Sequence, residues 1–289
     1  MAIIYSNFDP PITAVRRIVA LAIAEDLEPN ADITSNLIEI DKQGRINLNS
    51  RQTGVLAGSL CFYETFNQID SSIQVDFALK DGDHISKGQT VASIFGNYSR
   101  ILTAERTALN FLSHLSGVAT LTDAYCMAAK KGYEKVKVLD TRKTTPGLRA
   151  LEKAAVRAGG GVNHRGNLSE AVLIKDNHLG GITITQAIER VRSQWPGRMI
   201  EVECDSLDQV EIALKASVTV VMLDNMSYND IVKAVGMVKS SSTDTLVEVS
   251  GGVSLDTIEK LASSRCDLIS VGALTHSAPI VDFGFDLID

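Results

Sequence analysis

The feature that most constrains this chain is a regular alternation through its second half. Strand-like KVKVLD (135–140) precedes helix-like LRALEKAAVRA (148–158), and AVLIKDN (171–177) precedes ITITQAIERVRSQ (182–194). IEVECD (200–205), VTVVMLDN (218–225) and TLVEVSGG (245–252) are each followed by an amphipathic run, and DLISVGA (267–273) comes last. Six β-α steps in so short a span demand a parallel sheet with right-handed crossovers, open or closed. Each strand run ends on a functional side chain or a glycine turn: Asp140 with Arg142 and Lys143, Lys175, Glu203, Asp224, Ser250-Gly251-Gly252, then Gly272-Ala273. In a barrel those ends share one face, whereas a doubly wound sheet uses only its switch point. Contributions from all six predict an incomplete, open parallel α/β barrel, since about eight strands is usual.

The first half reads differently. ITAVRRIVALAIAEDL (12–27) has helical spacing, and Gly44 to Gly96 breaks into short β-type runs, predicting a sheet region. DGDHISKGQTVASIFG resembles the strand-turn-strand of lipoyl and biotinyl barrels, but the modified lysine in its hairpin setting is not evident, so this is read as shared architecture. Thr103–Lys131 predicts a long helix joining two domains, with Gly117 as a local break.

Charge narrows the function. The chain carries −7 overall, yet between Lys130 and His178 eleven basic residues face five acids, a net of +6. An acidic protein with its positive charge concentrated so locally is suited to a small polyanion, not to nucleic acid or an anionic membrane. No apolar run approaches the roughly 20 residues of a membrane span, and the start lacks a secretory or transit pattern, so the expected address is cytoplasmic. Cys61, Cys126, Cys204 and Cys266 show no metal-ligand or disulfide spacing and read as buried thiols.

At the strand ends, SGG and VGA let backbone N–H groups approach a phosphate. Arg142, Lys143, Arg165 and Lys175, with His164 beside Arg165, supply cations for carboxylate or phosphate. Gly159-Gly160-Gly161 reads either as a helix C-cap or as a mobile anion-binding loop. Glu203 and Asp224 would repel a polyanion unless Mg²⁺ intervenes; they could instead bond ribose hydroxyls, or pair with Lys175 or Arg142 as a structural network. A Schiff-base lyase using Lys143 or Lys175 and a lipoyl-type carrier are competing classes.

The segments ERTALNFLSHLSGVAT, DTRKTTPGLRALEKAAVRAGGGVNHRGNLSEAVLIKDNH, IEVECDS, VMLDNMS, VEVSGG and SVGALTHSAPIVDFGFDL together resemble the quinolinate phosphoribosyltransferases of NAD biosynthesis, from about Glu25 to Asp286. The resemblance implies an N-terminal α/β sandwich domain (1–115, with the tail 276–289 packing back on it) and an open α/β barrel (116–275). It implies a pentosyl-type glycosyltransferase that moves a 5-phosphoribosyl group from phosphoribosyl pyrophosphate to quinolinate, releasing pyrophosphate and CO₂, with Mg²⁺ and no organic cofactor; the alternative is a sibling phosphoribosyltransferase acting on another planar acid such as nicotinate. Carried onto this chain, Arg142, His164 and Arg165 would hold the quinolinate carboxylates, with Thr141 and Lys143 alongside. Lys175, Glu203 and Asp224 would face pyrophosphate, metal and ribose, the last two as metal ligands. Ser250, Gly251 and Gly252 with Val271, Gly272 and Ala273 would take the 5-phosphate. Lys143, Lys175, Glu203 and Asp224 would form the catalytic set. The resemblance also implies a homodimer or higher even oligomer in which Arg106 reaches the partner's site.

Overall fold

The computed structural model describes residues 9–37, 42–241 and 244–288. Helices α1 (Ile12–Leu27) and α2 (Ile33–Leu37) lead into strands β1 (Gln43–Ser50) and β2 (Gly54–Val55), helix α3 (Ser59–Ile69), strands β3 (Gln74–Phe77), β4 (His84–Ile85) and β5 (Thr90–Asn97), and the long helix α4 (Tyr98–Gly132). The alternating half runs β6 (Lys137–Leu139), α5 (Arg149–Ala158), β7 (Val172–Ile174), α6 (Asp176–Leu179), α7 (Ile184–Gln194) and β8 (Ile200–Cys204). It continues through α8 (Leu207–Lys215), β9 (Val220–Asp224), α9 (Tyr228–Ser240), β10 (Leu246–Ser250), α10 (Leu255–Ala262), β11 (Leu268–Ser270), α11 (Ala273–His276) and β12 (Phe283–Ile288). Two compact units result: one from 1–123, 144–160 and 274–289, the other from 124–143 and 161–273.

In the first unit the sheet order is β12-β1-β5-β3, antiparallel throughout. Register sets Ile46 opposite Ile94 and Leu48 opposite Ala92 and Phe285, so one sheet face is apolar. Helix α3 covers that face with Phe62 and Phe66, both fully buried and 5.0 Å apart between ring centroids. Phe62 meets Phe77 edge-on at 5.5 Å, a geometry favoured by the ring quadrupoles. The region from Gly44 to Gly96 is therefore not all sheet. The helix SLCFYETFNQI interrupts it because its aromatics, individually strand formers, recur at the four-residue interval that places them on one helical face. The lipoyl-like segment supplies β4 and β5 to two different sheets of this unit.

Gly117 does not break α4, which is continuous through it. A Cβ there would lie 2.1 Å from the Pro279 carbonyl oxygen, so the glycine serves close backbone approach instead of a kink. Gly159 does similar work at the end of α5, where a Cβ would meet the Ala119 carbonyl oxygen at 2.2 Å. The triple glycine is a helix C-cap: Gly159 N–H donates to Ala155 O, and Gly160, with φ of 83°, donates to Arg157 O.

The second unit is built on a six-stranded, wholly parallel sheet of order β6-β11-β10-β9-β8-β7. Sequential strands are neighbours, and the first is hydrogen-bonded to the last. That is barrel order, left open because, among the described residues, β6 and β7 are not paired with each other. Val162 forms a lone parallel bridge to Leu139 at the β6 edge. All four cysteines are free and buried; burial pushes the Cys204 thiol up to about 12 and the Cys266 thiol up to about 11, where a thiol is not a nucleophile. Among the described residues, no helix is long and apolar enough to cross a membrane.

Candidate active site

Paired residues of neighbouring parallel strands point to the same side, and side chains alternate along each strand. Leu173 is opposite Glu201, Glu203 opposite Met222, Met222 opposite Glu248, and Asp224 opposite Ser250. Val249 opposite Ile269 carries the same phase to Ser270. One face of the sheet thus presents Lys175, Glu201, Glu203, Asp224, Glu248, Ser250 and Ser270. Val202, Cys204, Val221, Leu223, Val247, Val249 and Ile269 occupy the other and are buried. Parallel strands covered on both sides normally read as unbroken apolar runs; here IEVEC and LVEVS alternate because one side faces a polar interior.

At the carboxyl ends, the expected residues fall where the alternation places them. Thr141, Arg142 and Lys143 follow β6, Lys175 follows β7, Glu203 lies in β8, and Asp224 and Ser250 end β9 and β10. Gly251 and Gly252 follow β10, while Val271, Gly272 and Ala273 follow β11. Lys175 Nζ pairs with Glu203 Oε2, the contact set by the Leu173–Glu201 register two residues earlier. Asp224 Oδ2 accepts from Asn225 Nδ2 at 2.8 Å, and Asn225 N–H donates to Ser250 O at 3.0 Å. Gly251 has φ of 94°, and a Cβ on it would sit 2.2 Å from Asn225 Oδ1, so only glycine closes this turn. A Cβ on Gly252 would meet nothing within 4 Å, leaving its backbone open to an incoming group. Arg106, by contrast, is an exposed residue of α4 in the first unit.

The cationic side is held by the segment Asn163-His164-Arg165. Asp140, fully buried, accepts from Asn163 Nδ2 at 2.5 Å and from His164 N–H at 2.9 Å, fastening this segment to the end of β6. Arg165 Nη1 donates to Ala171 O at 2.9 Å. Burial and then the like charge of Arg142 pull the Arg165 guanidinium below its ordinary value, with Glu201 acting in the opposite direction. Two half-buried guanidinium groups that repel each other are prepared for a ligand bearing more than one negative charge.

Sequence reasoning assigned no role to Glu201 and Glu248, which are 2% and 1% exposed. His164 Nε2 lies 3.0 Å from Glu201 Oε2 and 3.7 Å from Glu248 Oε2, and Ser270 Oγ donates to Glu248 Oε1. The signal was present as acids at two-residue spacing inside strands. Burial, followed by the adjacent Glu201 charge, pushes the Glu248 carboxyl up to about 8, against the pull of His164 and Ser270.

That shift has a stability consequence. Above pH 4.5 the unfolded Glu248 gives up its proton while the folded one keeps it to about pH 8, so this group lowers stability as pH rises across that window. Glu248→Gln keeps the size and cannot ionise. Its stability relative to the parent chain is expected to improve between about pH 5 and about pH 9, read by urea unfolding at both. A difference independent of pH would contradict a protonated Glu248.

Two family profiles cover nearly the whole chain: the quinolinate phosphoribosyl transferase N-terminal domain matches residues 32–116, and the C-terminal domain of the same family matches 118–286. The chain is 38% identical over 286 residues to the nicotinate-nucleotide pyrophosphorylase [carboxylating] of Mycobacterium leprae, covering 96% of this chain and 99% of that one. It is 37% identical to a probable nicotinate-nucleotide pyrophosphorylase [carboxylating] of Bacillus subtilis, covering 89% and 88%. The solved nicotinate-nucleotide pyrophosphorylase of Francisella tularensis superposes with a TM-score of 0.91 at 36% identity, covering 98% of this chain and 99% of that one.

Proposed function

The chain belongs to the quinolinate phosphoribosyltransferase family, and from that premise we propose how its strand-end residues divide the reaction. The enzyme transfers a 5-phosphoribosyl group from phosphoribosyl pyrophosphate to the ring nitrogen of quinolinate, giving nicotinate mononucleotide, pyrophosphate and CO₂ in NAD biosynthesis. The observation that carries the division of roles is the placement of Arg142, Lys143 and Lys175 with Glu203, Asp224 and the open Gly252 turn at the carboxyl ends of one parallel sheet, where Asp140 fastens the segment bearing Arg165.

Arg142 and Arg165, with Thr141 and Lys143 alongside, take the quinolinate carboxylates by forked, charge-assisted hydrogen bonds. Ser250 to Gly252 and Val271 to Ala273 take the 5-phosphate, a role supported by the open backbone at Gly252. The ring nitrogen forms its bond to ribose C1 as the bond to pyrophosphate breaks. Charge placement and alignment carry most of this step, because the sugar passes through an oxocarbenium-like state. The carboxylates of Glu203 and Asp224 lie on the side of that developing positive charge. Lys175, held by Glu203, faces the departing pyrophosphate as a point charge. Breaking the bond from ring carbon 2 to its carboxylate then leaves an electron pair that the cationic ring nitrogen stabilises, before a proton replaces CO₂.

The donor set also fits Mg²⁺, which takes one or two carboxylates and keeps its remaining ligands as waters and phosphate oxygens. Glu203 and Asp224 are hard oxygen donors on one sheet face, Asp224 lying two residues beyond Met222, the partner of Glu203. When bound there, the ion neutralises pyrophosphate charge. Arg106 is supplied to a neighbouring subunit in a homodimer, a role supported by its exposure. Four free, buried cysteines accord with a cytoplasmic setting.

Pure protein with Mg²⁺, phosphoribosyl pyrophosphate and quinolinate is expected to form nicotinate mononucleotide and CO₂ in equal amounts. Nicotinate as the acceptor should give little product, because a pocket built for two carboxylates leaves a cation unpaired. Comparable turnover of nicotinate would transfer the reading to the sibling activity.

A further inference from the structure

We propose that His164 is a positioning residue and not a ligand of the substrate acid: it is locked as its Nε2–H tautomer between the Arg165 backbone and the buried Glu201–Glu248 pair, and so fixes where Arg165 begins. The partners of the two ring nitrogens set the tautomer. Arg165 N–H donates to His164 Nδ1 at 2.8 Å, so Nδ1 is an acceptor and carries no proton. The ring proton is therefore on Nε2, where Glu201 Oε2 accepts it at 3.0 Å and Glu248 Oε2 waits at 3.7 Å. Both nitrogens are committed inside the protein, and the imidazole is only 10% exposed.

This arrangement decides between two readings of the cluster. His164, Glu201 and Glu248 bring one polar atom each within 4.8 Å of one another, a spacing that also suits a metal ion. A metal requires a bare nitrogen, however, and the only bare nitrogen is Nδ1, which faces the Arg165 amide. The cluster is thus a hydrogen-bonded stay for the backbone: Asp140 holds His164 N–H at 2.9 Å, and His164 in turn holds Arg165 N–H. The Arg165 guanidinium leaves from a peptide fixed on both sides, with Ala171 O steering its far end. Nε2 faces the buried carboxyl pair, so its proton is already engaged within the protein.

The inference rests on the reading that Arg165 meets the substrate acid. The test uses wild-type protein labelled with ¹⁵N-histidine, so that no variant needs to fold. The His164 signals are expected to show one protonated nitrogen, Nε2, and one pyridine-type nitrogen, Nδ1, in the same pattern before and after saturation with quinolinate. An imidazolium pattern, or an Nε2–H signal transferred to the ligand on quinolinate addition, would overturn the assignment. Two variants extend it. His164→Asn keeps an acceptor near Nδ1 and should bind quinolinate within about threefold of the parent, while His164→Leu removes it and should weaken quinolinate about tenfold with phosphoribosyl pyrophosphate unchanged. Equal losses in both variants would favour direct contact with the acid. Absence of turnover in the wild type would sink the reaction assignment alone and leave the tautomer result standing.

Discussion

Arg142→Ala is expected to weaken quinolinate binding by about ten- to a hundredfold while leaving phosphoribosyl pyrophosphate binding within about twofold. The range follows from a hydrogen bond to a charged group, worth about 1.5–3 kcal/mol, with roughly 1.4 kcal/mol per factor of ten. Two features of the site shape the outcome. Arg142 depresses the Arg165 guanidinium by like-charge repulsion, so its removal relaxes the empty pocket as well as depriving the ligand, and the two arginines should not act additively. The double variant with Arg165→Ala should therefore lose a different amount from the sum of the singles. Arg142→Lys restores charge without the planar fork and should recover only part of the loss. Calorimetric titration of each ligand separately checks all of this. Equal losses for quinolinate and phosphoribosyl pyrophosphate would remove Arg142 from the carboxylate pocket.

Which parts of this arrangement could be read from sequence follows from how far each signal reaches along the chain. The strand ends were legible because a β-α repeat converts position in the alternation into position on one face: Lys175, Glu203, Asp224 and Ser250 needed only the phase of their own strand. The helix α3 was not legible, because Phe62, Phe66 and Tyr63 favour strands locally and become helical through packing under a sheet whose last strand, β12, is contributed by the far end of the chain. Glu201 and Glu248 were visible as polar interruptions but silent about purpose. Their meaning depends on His164, which lies 37 residues before the first of them and is held in place from the end of β6, by Asp140 and the Val162–Leu139 bridge. Asp140 likewise looked like one more strand-end acid, yet its total burial and its hold on Asn163 and His164 make it a fastening for the cationic segment. Local patterns located the chemistry; contacts distant in sequence decided which polar groups touch a ligand and which orient those that do.

Gly117 shows the same division, and it carries the second large effect. Read alone, a glycine within a helical pattern marks a weak point, and alanine there would be expected to stabilise by up to about 1 kcal/mol. In the folded protein the sign reverses. The added Cβ would lie 2.1 Å from the Pro279 carbonyl oxygen and 3.2 Å from Ile280 Cα, backbone atoms that cannot rotate out of the way. The 279–283 segment is not free to retreat either, since Val281 N–H donates to Ser113 O at 3.1 Å and Val281 and Phe283 are buried in the sandwich core. Gly117→Ala is therefore expected to destabilise the unit by about 3 kcal/mol or more, the upper part of the range for overpacking. Gly236, in the exposed middle of α9, is the internal control: a Cβ there meets nothing within 4 Å, so Gly236→Ala should stabilise by up to about 1 kcal/mol. Denaturant midpoints at unchanged slope measure both. Two alanine variants shifting in the same direction would mean that α4 yields at Gly117 after all, and that local propensity, not the approach of the 279–283 segment, governs that helix.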